Sequence, residues 1–122
     1  MSEKIRVLLV DDSPIARATE SALVRALGHT VEEAQDGEDG WKRLNAGTFD
    51  LIMTDVQMPR LDGFSLTRRI KQSGFANIPI IILSSLASPE DKRRGADAGA
   101  DAYLVKGELG VESLALTIDR LT

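Results

Sequence analysis

Five short apolar stretches alternate along the chain with five longer stretches in which apolar residues recur every three or four positions. A short apolar run that ends at turn residues is typical of a buried strand, and the wider spacing is typical of an amphipathic helix. The predicted strands are residues 5–10, 30–34, 51–55, 78–83 and 102–105. Repeated βα units joined by right-handed crossovers predict an α/β fold with a parallel sheet and helices on both faces.

The residues at the helix boundaries support this division. Ser13–Pro14 provides an N-cap followed by a proline suited to the first helical position, and Ser88 with Asp91 forms a capping-box pattern. Between residues 13 and 28, the apolar positions recur at helical spacing: Ile15, Ala18, Ala22 and Ala26. The second strand is more polar than the others because of Glu32 and Glu33, so we expect it near an edge of the sheet.

Composition narrows the class of protein. With 122 residues, 43% hydrophobic and 28% charged, the chain is predicted to form one domain, residues 1–122, with no DNA-binding output domain. A net charge of −4 argues against a nucleic-acid surface, and the lack of cysteine excludes disulfides and thiolate metal sites. There is neither an apolar run of membrane-spanning length nor a signal-peptide core, so we expect no membrane association and a cytoplasmic location.

Polar residues stand where the predicted strands end. Asp11 and Asp12 follow the first strand, Asp55 ends the third, and Ser84 and Lys106 follow the fourth and fifth. In a parallel sheet these ends meet at one rim, and three adjacent carboxylates need a compensating cation. Oxygen ligands with room for water suit Mg²⁺. A metal, an ammonium and a hydroxyl around one carboxylate predict a site for phosphoryl transfer, with the carboxylate as acceptor.

These motifs, taken in order, resemble a receiver domain of the two-component response-regulator family over essentially the whole chain. The matching segments are 10–13, 54–59 with 62–63, Ser84, 99–103 and 105–106. The resemblance implies the CheY-like, flavodoxin-like (βα)5 fold with strand order 2-1-3-4-5. Residues 84–107 further resemble receivers fused to chemotaxis-type hybrid histidine kinases.

The resemblance also implies how the site would work. Asp55 would accept a phosphoryl group from the phosphohistidine of a histidine kinase or phosphotransfer domain, and would later lose it. Such a protein is a self-phosphorylating and autodephosphorylating signalling domain, not a conventional enzyme. Mg²⁺ would be bound directly by Asp12 and Asp55, through water by Asp11, and by the backbone carbonyl of Gln57.

The same resemblance implies a switch. Lys106 and Ser84 would hold the phosphoryl oxygens, and Tyr103 would turn inward as Ser84 moves toward the phosphate. The face formed by the fourth helix, fifth strand and fifth helix would present this change to a downstream target protein. We expect a monomer or a weak dimer.

Other interpretations remain for the same residues. Asp11 and Asp12 could serve only as caps for the first helix. An interaction module with this fold and no phosphorylation is a second class, although Asp12, Asp55 and Lys106 are all present. A haloacid-dehalogenase-like phosphatase is a third class. Such an enzyme needs a second acid two residues after its nucleophile, but the residue two positions after Asp11 is Ser13.

Three positions depart from the commonest family pattern: serine at 84, valine at 56 and glycine at 107. In much of the family that the chain resembles, a proline follows the lysine that corresponds to Lys106, and the peptide bond between the two is often cis. A cis bond before a residue other than proline costs roughly 2.5–4 kcal/mol. We therefore predict a trans Lys106–Gly107 bond and a comparatively mobile segment from Lys106 to Gly110.

Overall fold

The structure, a computed structural model that describes residues 3–122, alternates five strands with five α-helices. The predicted alternation is confirmed. A short 3₁₀ helix, Lys106–Glu108, follows the last strand. The elements are β1 (Arg6–Val10), α1 (Pro14–Ala26), β2 (Thr30–Ala34), α2 (Gly37–Ala46), β3 (Leu51–Thr54), α3 (Gly63–Lys71), β4 (Ile80–Ser84), α4 (Pro89–Ala98), β5 (Ala102–Val105) and α5 (Val111–Leu121).

The five strands form one parallel sheet in the order β2-β1-β3-β4-β5, as expected. β2 lies at an edge, which explains its polar sequence: all its residues except the buried Ala34 are half-buried, whereas those of β3 and β4 are all buried. Successive strand residues point to opposite faces. Glu32 accordingly pairs with Arg43 at 3.4 Å, and Glu33 pairs with Arg17 at 3.1 Å.

Alternate strand residues divide the core into two layers. Leu8, Ile52 and Ile80 pack under α2 and α3, which contribute Leu44 and Ile70. The opposite face of the sheet packs against Val24 of α1 and against Leu114 and Ile118 of α5; the buried strand residues on this face include Val7, Leu9, Met53, Ile81 and Leu83. A third cluster joins β4 to α3 and α4 through Ile82, Phe64 and Ala98. None of the helices within residues 3–122 is long and apolar enough to cross a membrane.

The residues predicted to cap the helices do so. Ser13 accepts a hydrogen bond from the N–H of Ala16 at 3.3 Å, and the reciprocal capping box of Ser88 and Asp91 is formed. The apolar stripe that indicated α1, however, is not its buried face. Ile15 is 83% exposed, and the helix instead turns Glu20, Ser21 and Val24 inward. Burial of the larger residues Val24, Leu23 and Leu27 against the sheet outweighs burial of three alanines.

The Lys106–Gly107 bond is trans, as predicted; residues 3–122 contain no cis peptide bond. The chain then enters the 3₁₀ helix and reaches α5 through Gly110. A comparatively mobile segment here stays a prediction.

Candidate functional site

The polar residues at the strand ends meet on one rim of the sheet. Asp11 follows β1, Asp55 follows β3, Ser84 is the last residue of β4, and Lys106 follows β5. Asp11 and Ser84 are fully buried, and Asp55 is only 9% exposed. The rim thus carries polar residues from the ends of four strands, and three of them, Asp11, Asp55 and Lys106, form a largely buried group of charges.

The Lys106 ammonium joins two of the carboxylates. Its Nζ lies 2.8 Å from Oδ2 of Asp11, across 95 residues of sequence, and 3.3 Å from Oδ2 of Asp55. Burial alone would lower the pKa of Lys106, but its hydrogen bond to Asp11 and the nearby negative charges outweigh burial and raise it. Lys106 therefore stays charged and offsets part of the repulsion among the acids.

Asp55 is held in an environment that disfavours its charge. Its Oδ1 accepts a hydrogen bond from the N–H of Val56 at 2.8 Å, while Oδ2 faces Lys106. Burial, with a smaller contribution from Asp11, raises the pKa of Asp55 despite these favourable contacts. The ionised carboxylate would consequently gain from a further cation.

Three carboxylates offer a place for such a cation. One oxygen from each of Asp11, Asp12 and Asp55 lies within 4.8 Å of the others, and Asp12 is exposed to solvent. Oxygen ligands that are open to water on one side fit Mg²⁺, which keeps several water molecules when bound. Gln57 lies in the following loop with an exposed side chain.

Asp11 also supports the start of α1. Its Oδ1 accepts from the N–H of Ser13 at 3.0 Å, and Ser13 is the residue that caps the helix. Although burial would raise the pKa of Asp11, its hydrogen bonds to Lys106 and to the Ser13 N–H help to lower it. The capping interpretation is thus compatible with membership of the charged group.

The loop from β3 to α3 fixes the backbone of Asp55. A Cβ at position 63 would overlap the Asp55 carbonyl oxygen, so only glycine permits this close approach. The Gly63 N–H also donates to the carbonyl of Val56 at 2.9 Å. At the loop's far side, Arg60 adopts a left-handed φ of 69° and pairs with Asp36 at 2.7 Å. The carboxylate of Asp55 is therefore presented by a loop that is restrained at both ends.

Ser84 and Tyr103 are connected through Leu86, which the sequence did not single out. The Tyr103 hydroxyl donates to the Leu86 carbonyl at 2.7 Å, and the Leu86 N–H donates to Ser84 Oγ at 3.1 Å. The Tyr103 ring packs on Gly95 of α4, where an added Cβ would lie 2.9 Å from Tyr103 Cδ2. The rim is thereby linked by hydrogen bonds and packing to α4 and β5.

Sequence reasoning missed Glu20. This α1 residue is 3% exposed, and its Oε2 lies 3.6 Å from Nζ of Lys106. Its Oε1 has no hydrogen-bond partner among the described residues. Burial and the neighbouring Asp11 raise the pKa of Glu20 to about 8. The available signal was its spacing: Glu20 stands four residues before Val24, on the face that packs against the sheet.

Comparison with known proteins matches these features to one family. The model of the response regulator receiver domain matches residues 7–118. The chain is 74% identical over 122 residues to the gliding motility regulatory protein of Myxococcus xanthus; the match covers 99% of this chain and 16% of that protein.

Solved structures agree. The chemotaxis protein CheY4 of Vibrio cholerae superposes with a TM-score of 0.89 at 35% identity, covering 98% of this chain and 100% of CheY4. The receiver domain of sensor histidine kinase PA1611 from Pseudomonas aeruginosa, solved with magnesium in its active-site cleft, has a TM-score of 0.89 at 30% identity and 98% coverage of both chains. With its β2-β1-β3-β4-β5 sheet and its acidic rim, the chain belongs to the response regulator receiver domains of two-component signalling.

Proposed function

We propose that Asp55 is the phosphoacceptor of this receiver, taking a phosphoryl group from the phosphohistidine of a histidine kinase or phosphotransfer domain. The observation that carries the proposal is the placement of the Asp55 carboxylate: 3.3 Å from the Lys106 ammonium and grouped with two further acids at the sheet rim. A buried carboxylate of raised pKa with an ammonium 3.3 Å away is a nucleophile in a site suited to more negative charge.

In the transfer, one carboxylate oxygen of Asp55 forms a bond to phosphorus while the bond from phosphorus to the histidine nitrogen breaks. The electron pair of that bond goes to the imidazole. Lys106 stabilises the charge on the transferring oxygens, and the Ser84 hydroxyl donates to one of them. Attack by water on phosphorus later releases phosphate and restores the Asp55 carboxylate.

Asp12 and Asp55 would hold Mg²⁺ directly, Asp11 through water, and Gln57 through its backbone carbonyl. When bound, the ion neutralises charge that develops on the phosphoryl oxygens. The oxygen-only donor set and the exposure of Asp12 support this assignment. The residues of the chain contribute the alignment of donor and acceptor.

We further propose that phosphorylation shifts the population of a second conformation through Ser84 and Tyr103. If Ser84 turns toward the phosphate, its oxygen leaves the Leu86 N–H, and the loop that holds the Tyr103 hydroxyl is free to rearrange. The face of α4, β5 and α5 would present the change to a downstream target protein. Val111 and Leu116, which are 45% and 70% exposed on α5, support this choice of face.

The chain would act as a cytoplasmic signalling domain, monomeric or weakly dimeric, and not as a conventional enzyme. It spans only 16% of the gliding motility protein to which it is 74% identical. This proportion supports a receiver that works within a longer signalling protein, such as a hybrid kinase.

The experiment is incubation with acetyl phosphate and Mg²⁺, followed by intact-mass measurement. Wild type should gain one phosphoryl group, Asp55→Asn should gain none, and Asp97→Asn, an exposed aspartate of α4, should behave as wild type. No gain in the wild type would refute the proposal and favour an interaction module that works without phosphorylation.

A further inference from the structure

Glu20 is a buried carboxyl group that takes no part in the proposed phosphoryl transfer to Asp55. Only 3% of its surface is exposed, and one of its oxygens has no partner among the described residues. Burying a polar group without full hydrogen bonding is unfavourable, and an apolar side chain of similar size is often at least as stable. The presence of glutamate at this position of α1 therefore calls for a role other than stability.

The geometry around Lys106 provides one. The Lys106 nitrogen has three carboxyl groups around it: Asp11 at 2.8 Å, Asp55 at 3.3 Å and Glu20 at 3.6 Å. Asp11 and Asp55, together with Asp12, form the group of acids that can hold a cation. Within residues 3–122, Glu20 is not a member of that group. A cation at the site would compete with Lys106 for Asp11 and Asp55, and it would leave Glu20 to the ammonium.

The segment after Lys106 has open space beside it, although the Lys106 carbonyl accepts a hydrogen bond from the Leu109 N–H at 3.3 Å. Gly107 follows it in a three-residue 3₁₀ helix, and within residues 3–122, its chain neighbours aside, no atom lies within 4 Å of the place where a Gly107 Cβ would stand. The side chain of Lys106 is 23% exposed. Its ammonium is consequently placed mainly by what surrounds its tip, and Glu20 reaches that tip from α1.

We propose that Glu20 is a positioning residue that keeps the Lys106 ammonium beside Asp55 when the acids of the rim are engaged with a cation. It touches neither the phosphoryl group nor the donor, and it acts through Lys106. The expected effect of Glu20 on the phosphorylation rate rests on the proposed function of Asp55. Its expected effect on the position of the Lys106 ammonium does not.

The decisive variant is Glu20→Met, which keeps an unbranched side chain of similar length in the helix and removes both oxygens. We expect its urea midpoint to equal or exceed that of the wild type. We expect its phosphorylation by acetyl phosphate with Mg²⁺ to be roughly 5- to 30-fold slower, the range that the coupling between two contacting residues produces. A purely structural residue would instead lose stability and rate together, and that result would overturn the proposal.

A double-mutant cycle tests whether the effect passes through Lys106. In the Lys106→Ala background, Glu20→Met should change the rate less than twofold. An equal fold-change in both backgrounds would overturn the proposal. Glu20→Gln retains an oxygen that can face the ammonium and should recover most of the rate. Ser21→Ala, at the adjacent buried position of α1, is the matched control and should phosphorylate as wild type.

A readout without phosphate separates this inference from the function. Nitrogen NMR of lysine ammonium groups, recorded with and without Mg²⁺, should show a distinct Lys106 signal in the wild type and in Ser21→Ala. In Glu20→Met with Mg²⁺ that signal should shift and broaden; an unchanged signal would overturn the role of Glu20. If the wild type gains no phosphate, the proposed function fails, and the ammonium spectrum still decides the position of Lys106.

Discussion

Replacing Lys106 by methionine tests how far one ammonium stabilises the acidic rim. Lys106→Met keeps an unbranched side chain and removes only the charged tip. It leaves Asp11 and Asp55 without their shared partner, and these side chains are only 1% and 11% exposed. Since neither carboxylate can turn fully into water, we predict that the variant is less stable than the wild type at neutral pH.

The size of the effect follows from the distances. At an effective dielectric constant of about 20, charges 2.8 and 3.3 Å apart attract each other by roughly 6 and 5 kcal/mol before desolvation is subtracted. Removing one partner of a buried pair costs about 3–5 kcal/mol in measured cases. Because 23% of the Lys106 side chain is exposed to screening solvent, we expect a lower value, about 2–3 kcal/mol.

The measurement is urea unfolding followed by far-UV circular dichroism in a chelating buffer, with linear extrapolation to water. Lys92→Met, which removes an exposed lysine of α4, is the control and should change the free energy of unfolding by less than about 0.5 kcal/mol. Added Mg²⁺ should reduce the deficit of Lys106→Met, because it offers the acids another counter-charge. A loss no larger than that of the control, or one that Mg²⁺ leaves unchanged, would refute the reasoning.

Three further outcomes are expected. Gly63→Ala should lower the free energy of unfolding by about 1–3 kcal/mol, because its Cβ would overlap the Asp55 carbonyl. Gly74→Ala, whose Cβ has no contact within 4 Å among residues 3–122 beyond its chain neighbours, should not; equal urea midpoints for the two variants would contradict this. The raised pKa of Asp55 means that folding favours its protonated form, so the free energy of unfolding falls as the pH rises above the usual carboxyl pKa of 3.8. In urea titrations without Mg²⁺, Asp55→Asn should therefore be more stable than the wild type at pH 7 but not at acid pH. Gly107→Ala should raise the free energy of unfolding by about 0.4–1 kcal/mol, because Gly107 is not left-handed and its Cβ meets open space, and a lower thermal midpoint would count against it.

The fold class follows from the sequence alone, and so does the expectation that Asp11, Asp12 and Asp55 meet at one rim of the sheet. Five apolar runs separated by helical spacing admit few arrangements, since βα crossovers are right-handed and short. Once the sheet is parallel, the residues that follow its strands must share one end, so the strand-end positions of Asp11, Asp55, Ser84 and Lys106 predict a common rim. The caps at Ser13 and Ser88 were equally readable because capping depends on residues three positions apart.

Features that depend on how one element packs against another follow only from the folded chain. The alanine stripe of α1 lies on the exposed side of the helix, because the buried side is selected by the apolar area that it covers against its neighbours. Glu20 became visible only once that face was known. The path from Ser84 through Leu86 to Tyr103 depends on how the loop after β4 folds back over β5. Such contacts join residues far apart in sequence, and their distances follow from packing that no local pattern of apolar and polar positions encodes.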